Sequence, residues 1–327
     1  MPTLDVVAVG ELNADLILTA PRIAPEFGHD KPLEDYALTL GSSTALAAHG
    51  LGRLGARVGF VGVAGQDAFG ELVVRHLREA GVDVSRIRLR QELRTGLTVS
   101  LSETGDRALL TYPGSIAALR LADMDWDYLR TFRHLHLASY FILTALRPDI
   151  PALFRRAKEY GLTTSLDTGW DEAGAFGADL EEALPYVDVF LPNAEEARAI
   201  TGLGDICQAL DDLAQRIPTV AVKLGAQGAL AQRGGEFAQA NGFAVQARDT
   251  TGCGDAFDAG FLFGLLQGLP LSQCLTLGNA CGALVATQLG GAAGFPTLTE
   301  LTRFLRERGA AVNLPGTANT APKGDPR

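Results

Sequence analysis

The stretch DTTGCGDAFDAGF, Asp249 to Phe261, decides how the rest of this 327-residue chain is read. A polar, glycine-punctuated turn passes directly into a run that is apolar nearly all round: Ala256, Phe257, Ala259, Phe261, Leu262, Phe263, Leu265 and Leu266. Such a run predicts a buried helix. Upstream, Phe243 to Ala247 alternates apolar and polar and predicts a strand arriving at the turn. At a strand-to-helix junction of this kind, Gly252 and Gly254 let backbone amides come close to a ligand, and the unpaired amides of a helix start attract anions. This is a place for a phosphate. Asp255 would repel that phosphate unless it has a task there. A carboxylate within reach of a substrate hydroxyl accepts its proton as the oxygen attacks a phosphoryl group. The alternative reading of a bare G-x-G-D is a helix cap with glycines that only make the turn.

Over the whole chain, 47% hydrophobic and 20% charged residues, with 38 glycines and 15 prolines, describe an ordinary globular protein with a substantial core. The formal charge of -10 and the lack of a lysine-arginine block argue against a nucleic-acid surface, so a bound anion has to be held by local amides and a metal ion. The opening MPTLDVVAVGELNADLIL lacks the pattern of a signal peptide, and no apolar stretch is long enough to span a membrane, which predicts a cytoplasmic protein. Cys207, Cys253, Cys274 and Cys281 show no C-x-x-C pairing and read as reduced thiols.

Asp5 to Gly10 predicts a buried first strand, followed by polar residues including Asn13 and Asp15 where ligands of open parallel sheets bind. Short β pieces broken by Pro21, Pro25, Gly28 and Pro32, and a second set around Thr104-Gly105-Asp106, predict a separate small sheet from segments at about 12–40 and 94–113. Between them, Gly41-Ser42-Ser43-Thr44 opens a helical run, and Asp67 caps the next helix. From His134 onward strand and helix alternate as in βαβ units, each strand ending in polar or aromatic residues along one rim. Thr163 to Leu166 ends in Asp167. Val187 to Leu191 leads to Asn193 and Glu196, and Thr219 to Leu224 contains Lys223 before the turn Gly225 to Gly228. His134 and His136 share a strand face, but ordinary packing explains them better than a metal site. The segment 313–327 reads as a disordered tail after one domain spanning 1–312.

DTTGCGDAF resembles the C-terminal signature of the ribokinase-like, or PfkB, carbohydrate kinase family, with Cys253 where alanine is usual. VGELNADLIL, the segment from Gly41, Gly65 to Gly70, N-x-x-E at Asn193 to Glu196, VKLGAQGA and LGNACGALVATQLGGA are similar to further motifs of that family in their expected order. The chain departs from the pattern at Leu40 and around Leu46. The resemblance implies a three-layer α/β domain with a mostly parallel sheet and a β-sheet lid. It implies an ATP-dependent sugar kinase with Asp255 as base and an anion hole from Gly252, Cys253 and Gly254. Asn13, Asp15, Gly41, Ser42 and Ser43 would bind the sugar, and Tyr112, Tyr140 and Asp167 would border its pocket. Asn193, Lys223, Gly225, Gly228, Thr250 and Asn279 would serve the nucleotide, and Glu196 would hold Mg2+ through water. Asp249 and Thr251 match a potassium site, and pairing of lid edges implies a homodimer. A nucleoside as acceptor, or a regulator that binds sugar or nucleotide without turnover, are the alternatives.

Overall fold

The computed structural model describes residues 4–103, 106–310 and 312–314. The first part of the chain forms β1 (Leu4–Val9), β2 (Asn13–Thr19), β3 (Asp35–Leu40), α1 (Ser43–Arg53), β4 (Val58–Gly65), α2 (Ala68–Glu79), β5 (Asp83–Arg90), β6 (Gly96–Glu103) and β7 (Asp106–Tyr112). The centre forms α3 (Trp126–Leu129), β8 (Phe132–Leu137), α4 (Ile150–Glu159), β9 (Thr163–Leu166), α5 (Ala178–Ala183), β10 (Val189–Phe190), α6 (Ala194–Thr201) and α7 (Ile206–Ala214). β11 (Thr219–Lys223), β12 (Ala229–Arg233), β13 (Glu236–Ala240), α8 (Cys253–Leu266), α9 (Leu271–Ala286) and α10 (Leu298–Glu307) complete it.

Among the described residues nine strands share one sheet in the order β13-β12-β11-β10-β9-β8-β1-β4-β5, parallel except for the antiparallel pairs of β12. Alternation along β1 shows why three layers form. Val6 and Ala8 belong to the core cluster built with α1, α8 and α9, whereas Val7 and Val9 belong to the opposite cluster with α4 and α7. A strand buried on both faces needs apolar residues at every position, and β1 supplies them from Val6 to Val9. A separate four-stranded sheet, ordered β3-β2-β6-β7, takes its strands from two distant segments, Asn13 to Leu40 and Gly96 to Tyr112. Its β2 and β6 run parallel and the outer pairs antiparallel. Of the hairpin tip, Thr104 and Gly105 lie outside the described residues.

Phe243 to Ala247 is not a strand. The neighbouring sheet edge is already taken by β13, so the segment's alternation reflects packing against a helix: the Phe243 and Phe304 rings lie 5.2 Å apart, edge to face. The phosphate-type turn is therefore reached through irregular chain. Strands β5 and β13 and helix α7 arise where the sequence reading placed none. Asn313 and Leu314, expected within a disordered tail, are held in place: Leu314 is buried in the main core and the Asn313 amide donates to Gln273 Oε1 at 3.0 Å, while residues 315–327 lie outside the described residues. No described helix is long and apolar enough to cross a membrane.

Candidate active site

Parallel strands deliver their C-terminal ends to one rim, and the site collects there. Gly252 is the N-cap of α8 in the left-handed region, φ 76°, and no side chain caps the helix. A helix start without a side-chain cap is where backbone amides are left to bind other groups. Gly252 is required sterically as well, since a Cβ there would stand 3.0 Å from Gly291 Cα. Asp255 is 8% exposed in that first turn. Burial, then the charge of Asp167, pushes its carboxyl up to about 7, against the opposing influence of Lys223 and a hydrogen bond from the Ser43 side chain.

Beneath it lies a buried charge cluster. Lys223 Nζ donates to Asp167 Oδ2 at 2.7 Å and to Asp258 Oδ1 at 3.2 Å. Burial would raise the Asp167 carboxyl, but the Lys223 charge and hydrogen bonds more than offset it, and the net direction is down. Asp258 moves the other way, well above the ordinary range, with burial as the leading cause. Desolvation works against the Lys223 charge, yet its carboxylate neighbours raise it overall. Glu196, 4% exposed, is pushed up to about 7 by burial and then by Asp167. It sits at the start of α6, where Asn193 is the N-cap.

On the side of the small sheet, Asn13 Nδ2 donates to Asp15 Oδ1 at 2.9 Å, and both residues are buried. Gly41 closes against them: its amide donates to Asn13 O at 3.0 Å, and a Cβ at this position would run into Asp15 Oδ1 and Asn13 Nδ2. The next residue, Ser42, adopts φ 73°, caps α1 and donates to Glu11 O at 2.6 Å. A non-glycine residue in that region is strained, and such strain collects at functional sites. Ser43 follows and reaches Asp255. One short segment thus joins the Asn13–Asp15 pair to the start of α8.

Other expected site residues have different surroundings. Tyr140 is fully buried, edge to face with Phe141 at 5.2 Å, in the core rather than at a pocket border. Tyr112 is 53% exposed on β7. Lys223 and Asp167 are turned toward each other, so neither stands alone facing a ligand. Asn279 Nδ2 donates to Ala240 O and Asn241 O at 3.0 and 3.2 Å, a structural anchor for the chain leaving β13. Gly228, φ 102°, is tied to the same segment, because a Cβ would meet Ala240 O; Gly225, φ 59°, faces open space. Asp249 Oδ1 accepts from the Thr251 amide and hydroxyl at 2.9 and 2.7 Å, and Oδ2 from the Gly290 amide at 3.0 Å, which holds Thr250 and the loop to the segment after α9. His134 bonds Thr163 and Ser165, as strand packing requires. Among the described residues all four cysteines are outside disulfides.

Two residues were missed by reading the sequence. Asp258 is a carboxylate in an otherwise apolar helix, three residues after Asp255 and so on the same face; a charge in such a helix signals a buried partner. Glu11, 1% exposed, accepts from the Thr44 hydroxyl and amide at 2.7 and 3.2 Å and locks the end of β1 to α1. Its signal was a carboxylate placed directly after a buried strand.

Comparison with known proteins follows this geometry. Residues 3–298 match the model of the pfkB family carbohydrate kinases. The chain is 34% identical to an ATP-dependent ribose-1-phosphate kinase of Halopiger xanaduensis over 306 residues, covering 93% of this chain and 98% of the relative. It is 30% identical to a 2-dehydro-3-deoxygluconokinase of Bacillus subtilis, covering 92% and 95%. A putative ribokinase II from E. coli, solved with ATP and Mg2+, superposes with a TM-score of 0.84 at 22% identity over 93% of this chain and 99% of that one.

Proposed function

Because the chain belongs to the pfkB family of carbohydrate kinases, we propose that it transfers the γ-phosphoryl group of ATP to a hydroxyl of a small neutral sugar, with Asp255 as the base. That the chain is an ATP-dependent carbohydrate kinase follows from the family and its named relatives. The observation that carries the finer reading is the place of Asp255: a buried carboxylate in the first turn of a helix without a side-chain cap, joined through Ser43 to the Gly41–Asn13–Asp15 corner.

In this reading Asp15 and Asn13 hold sugar hydroxyls, and Asp255 accepts the proton of the attacking hydroxyl. The amides of Gly252, Gly254 and Asp255 stabilise charge on the transferring phosphoryl group, whereas that of Cys253, expected to join them, donates to Thr250 O at 3.3 Å. The small sheet acts as a lid and keeps water from competing as acceptor. Glu196, with Asn193, fits a hard divalent cation, since a carboxylate raised to about 7 by burial is relieved by a positive charge beside it. When bound, Mg2+ supplies charge neutralisation on the nucleotide phosphates. Asp249, Thr251 and the segment at Gly290 would hold K+, which replacing potassium by a large organic cation in initial-rate assays tests.

A neutral acceptor is supported by the sequence, in which no cluster of arginines marks a site for a phosphorylated sugar. Exposed Tyr36, Leu38, Leu109 and Leu110 on the small sheet support a homodimer formed through it. The experiment is ADP release from ATP and magnesium across pentoses, hexoses, keto-deoxy sugar acids, nucleosides and sugar phosphates, with Asp255→Asn beside the wild type. Turnover of a neutral sugar, lowered about 10²- to 10⁴-fold in the variant, is expected. Turnover confined to ribose 1-phosphate or to a nucleoside overturns the neutral acceptor, and ligand binding without any turnover identifies a regulator.

A further inference from the structure

Three carboxylates and one ammonium meet under the first turns of α8. One oxygen from each of Asp167, Asp255 and Asp258 lies within 4.8 Å of the other two. The side chain of Lys223 is 11% exposed and that of Asp258 0%, and Lys223 Nζ stands 3.2 and 3.3 Å from the two Asp258 oxygens. A Cβ on Gly254 would be 3.6 Å from that nitrogen, so the ammonium lies directly against the turn that presents the amides. Burying a lysine with acids is costly unless their geometry is held. Here two acids from different elements, the end of β9 and the second turn of α8, grip it from two sides.

We propose that Lys223 is a positioning residue of the phosphoryl-transfer site: clamped by Asp167 and Asp258, its ammonium is the fixed counter-charge of the Asp255 carboxylate. The inference rests on Asp255 being the base, and it assigns Asp258 the task of holding the lysine. Lys223 acts on the base rather than on the nucleotide, because its three donors already face aspartate oxygens.

The groups around Asp255 come from every neighbouring element. Asp167 follows β9, Asp258 lies one turn along α8, Glu196 is in α6, Glu11 follows β1, and Ser43 of α1 donates to it. His136 on β8 faces Asp167 and Lys223, and burial pushes it down to about 4, so it is neutral at working pH. Of these groups Lys223 is the cation. The surplus of acids over bases makes Asp255 depend on it.

The test is the pH profile of kcat/KM for Lys223→Met and Lys223→Arg, with Asp255→Asn alongside. For Lys223→Met the acid limb moves up by about one unit or more, so that the loss is about tenfold or greater near pH 6.5 and small near pH 9. KM for ATP stays within about threefold, and Lys223→Arg keeps the wild-type limb. Should Lys223→Met fail to fold, Lys223→Met combined with Asp258→Leu removes one acid with the base and carries the same expectation. An unmoved acid limb overturns the proposal, including the case in which KM for ATP rises instead. Wild-type turnover in Asp255→Asn would refute the base itself. A dead Asp255→Asn with an unmoved limb in Lys223→Met refutes only the counter-charge.

Discussion

Asn193 and Glu196 cap each other: Asn193 Oδ1 accepts the Glu196 amide at 2.9 Å, and Glu196 Oε2 accepts the Asn193 amide at 2.8 Å. The reciprocal bond closes the first turn of α6 and also aims a buried carboxylate at the rim where the phosphate-type turn opens. The same pair therefore has a structural and a proposed ionic duty. Glu196→Gln separates them, because the amide oxygen still accepts from Asn193 while the charge is gone. The magnesium concentration for half-maximal rate should rise about 10- to 100-fold, with the melting temperature nearly unchanged. A rate indifferent to this change would remove Glu196 from metal binding.

Gly41→Ala tests the sugar side. Its Cβ would displace Asp15 Oδ1 and Asn13 Nδ2, the atoms assigned to sugar hydroxyls. We expect KM for the sugar to rise about tenfold or more with KM for ATP little changed, in line with the loss of one or two hydrogen bonds worth about 1 kcal/mol each. Parallel rises for both substrates would point to general distortion.

The Asp255 carboxyl, raised to about 7, predicts opposite trends for activity and stability. Only the ionised form accepts a proton, so kcat/KM climbs as pH rises through about 7. The folded value is above the unfolded one, so the folded state binds the extra proton and stability is lost as pH rises from about 4 to about 7. Asp255→Asn should therefore be more stable than wild type at pH 8.5, by at most roughly 2–4 kcal/mol, and no more stable at pH 4. Thermal unfolding at the two pH values checks this sign.

Gly228→Ala should be destabilising. The position has φ 102° and packs against Ala240 O, so the substitution costs about 1–3 kcal/mol in backbone strain before any contact is relieved. Urea unfolding measures the loss. Because the Asn279 anchor holds the same segment, Asn279→Ala should destabilise as well, and the pair should be non-additive.

Much of the architecture could be read from local pattern. Alternating strands and helices, the apolar run Val6 to Val9 of β1 and the largely apolar α8 each follow from burial on one or two faces, which a sequence displays directly. The Asp249 to Phe261 turn and the Asn193–Glu196 cap depend on neighbours in sequence, whereas the roles of Gly41, Asn193 and Glu196 were legible only through the family resemblance. Phe243 to Ala247 misled because alternation reports a buried face without saying whether a strand or a helix covers it.

What the sequence determined by itself was the alternation of strands and helices through the centre of the chain and the helix start beside Asp255, since both are set within a few residues. Which charges surround that aspartate was decided by tertiary structure alone. Lys223 lies 56 positions after Asp167 and 35 before Asp258, and it meets these two partners only because β9 and β11 end at one rim under α8. Coulomb interactions depend on distance through space and on burial, and neither quantity is written in a linear string. The same holds for Tyr140, whose place at a strand end suggested a pocket until packing put it in the core.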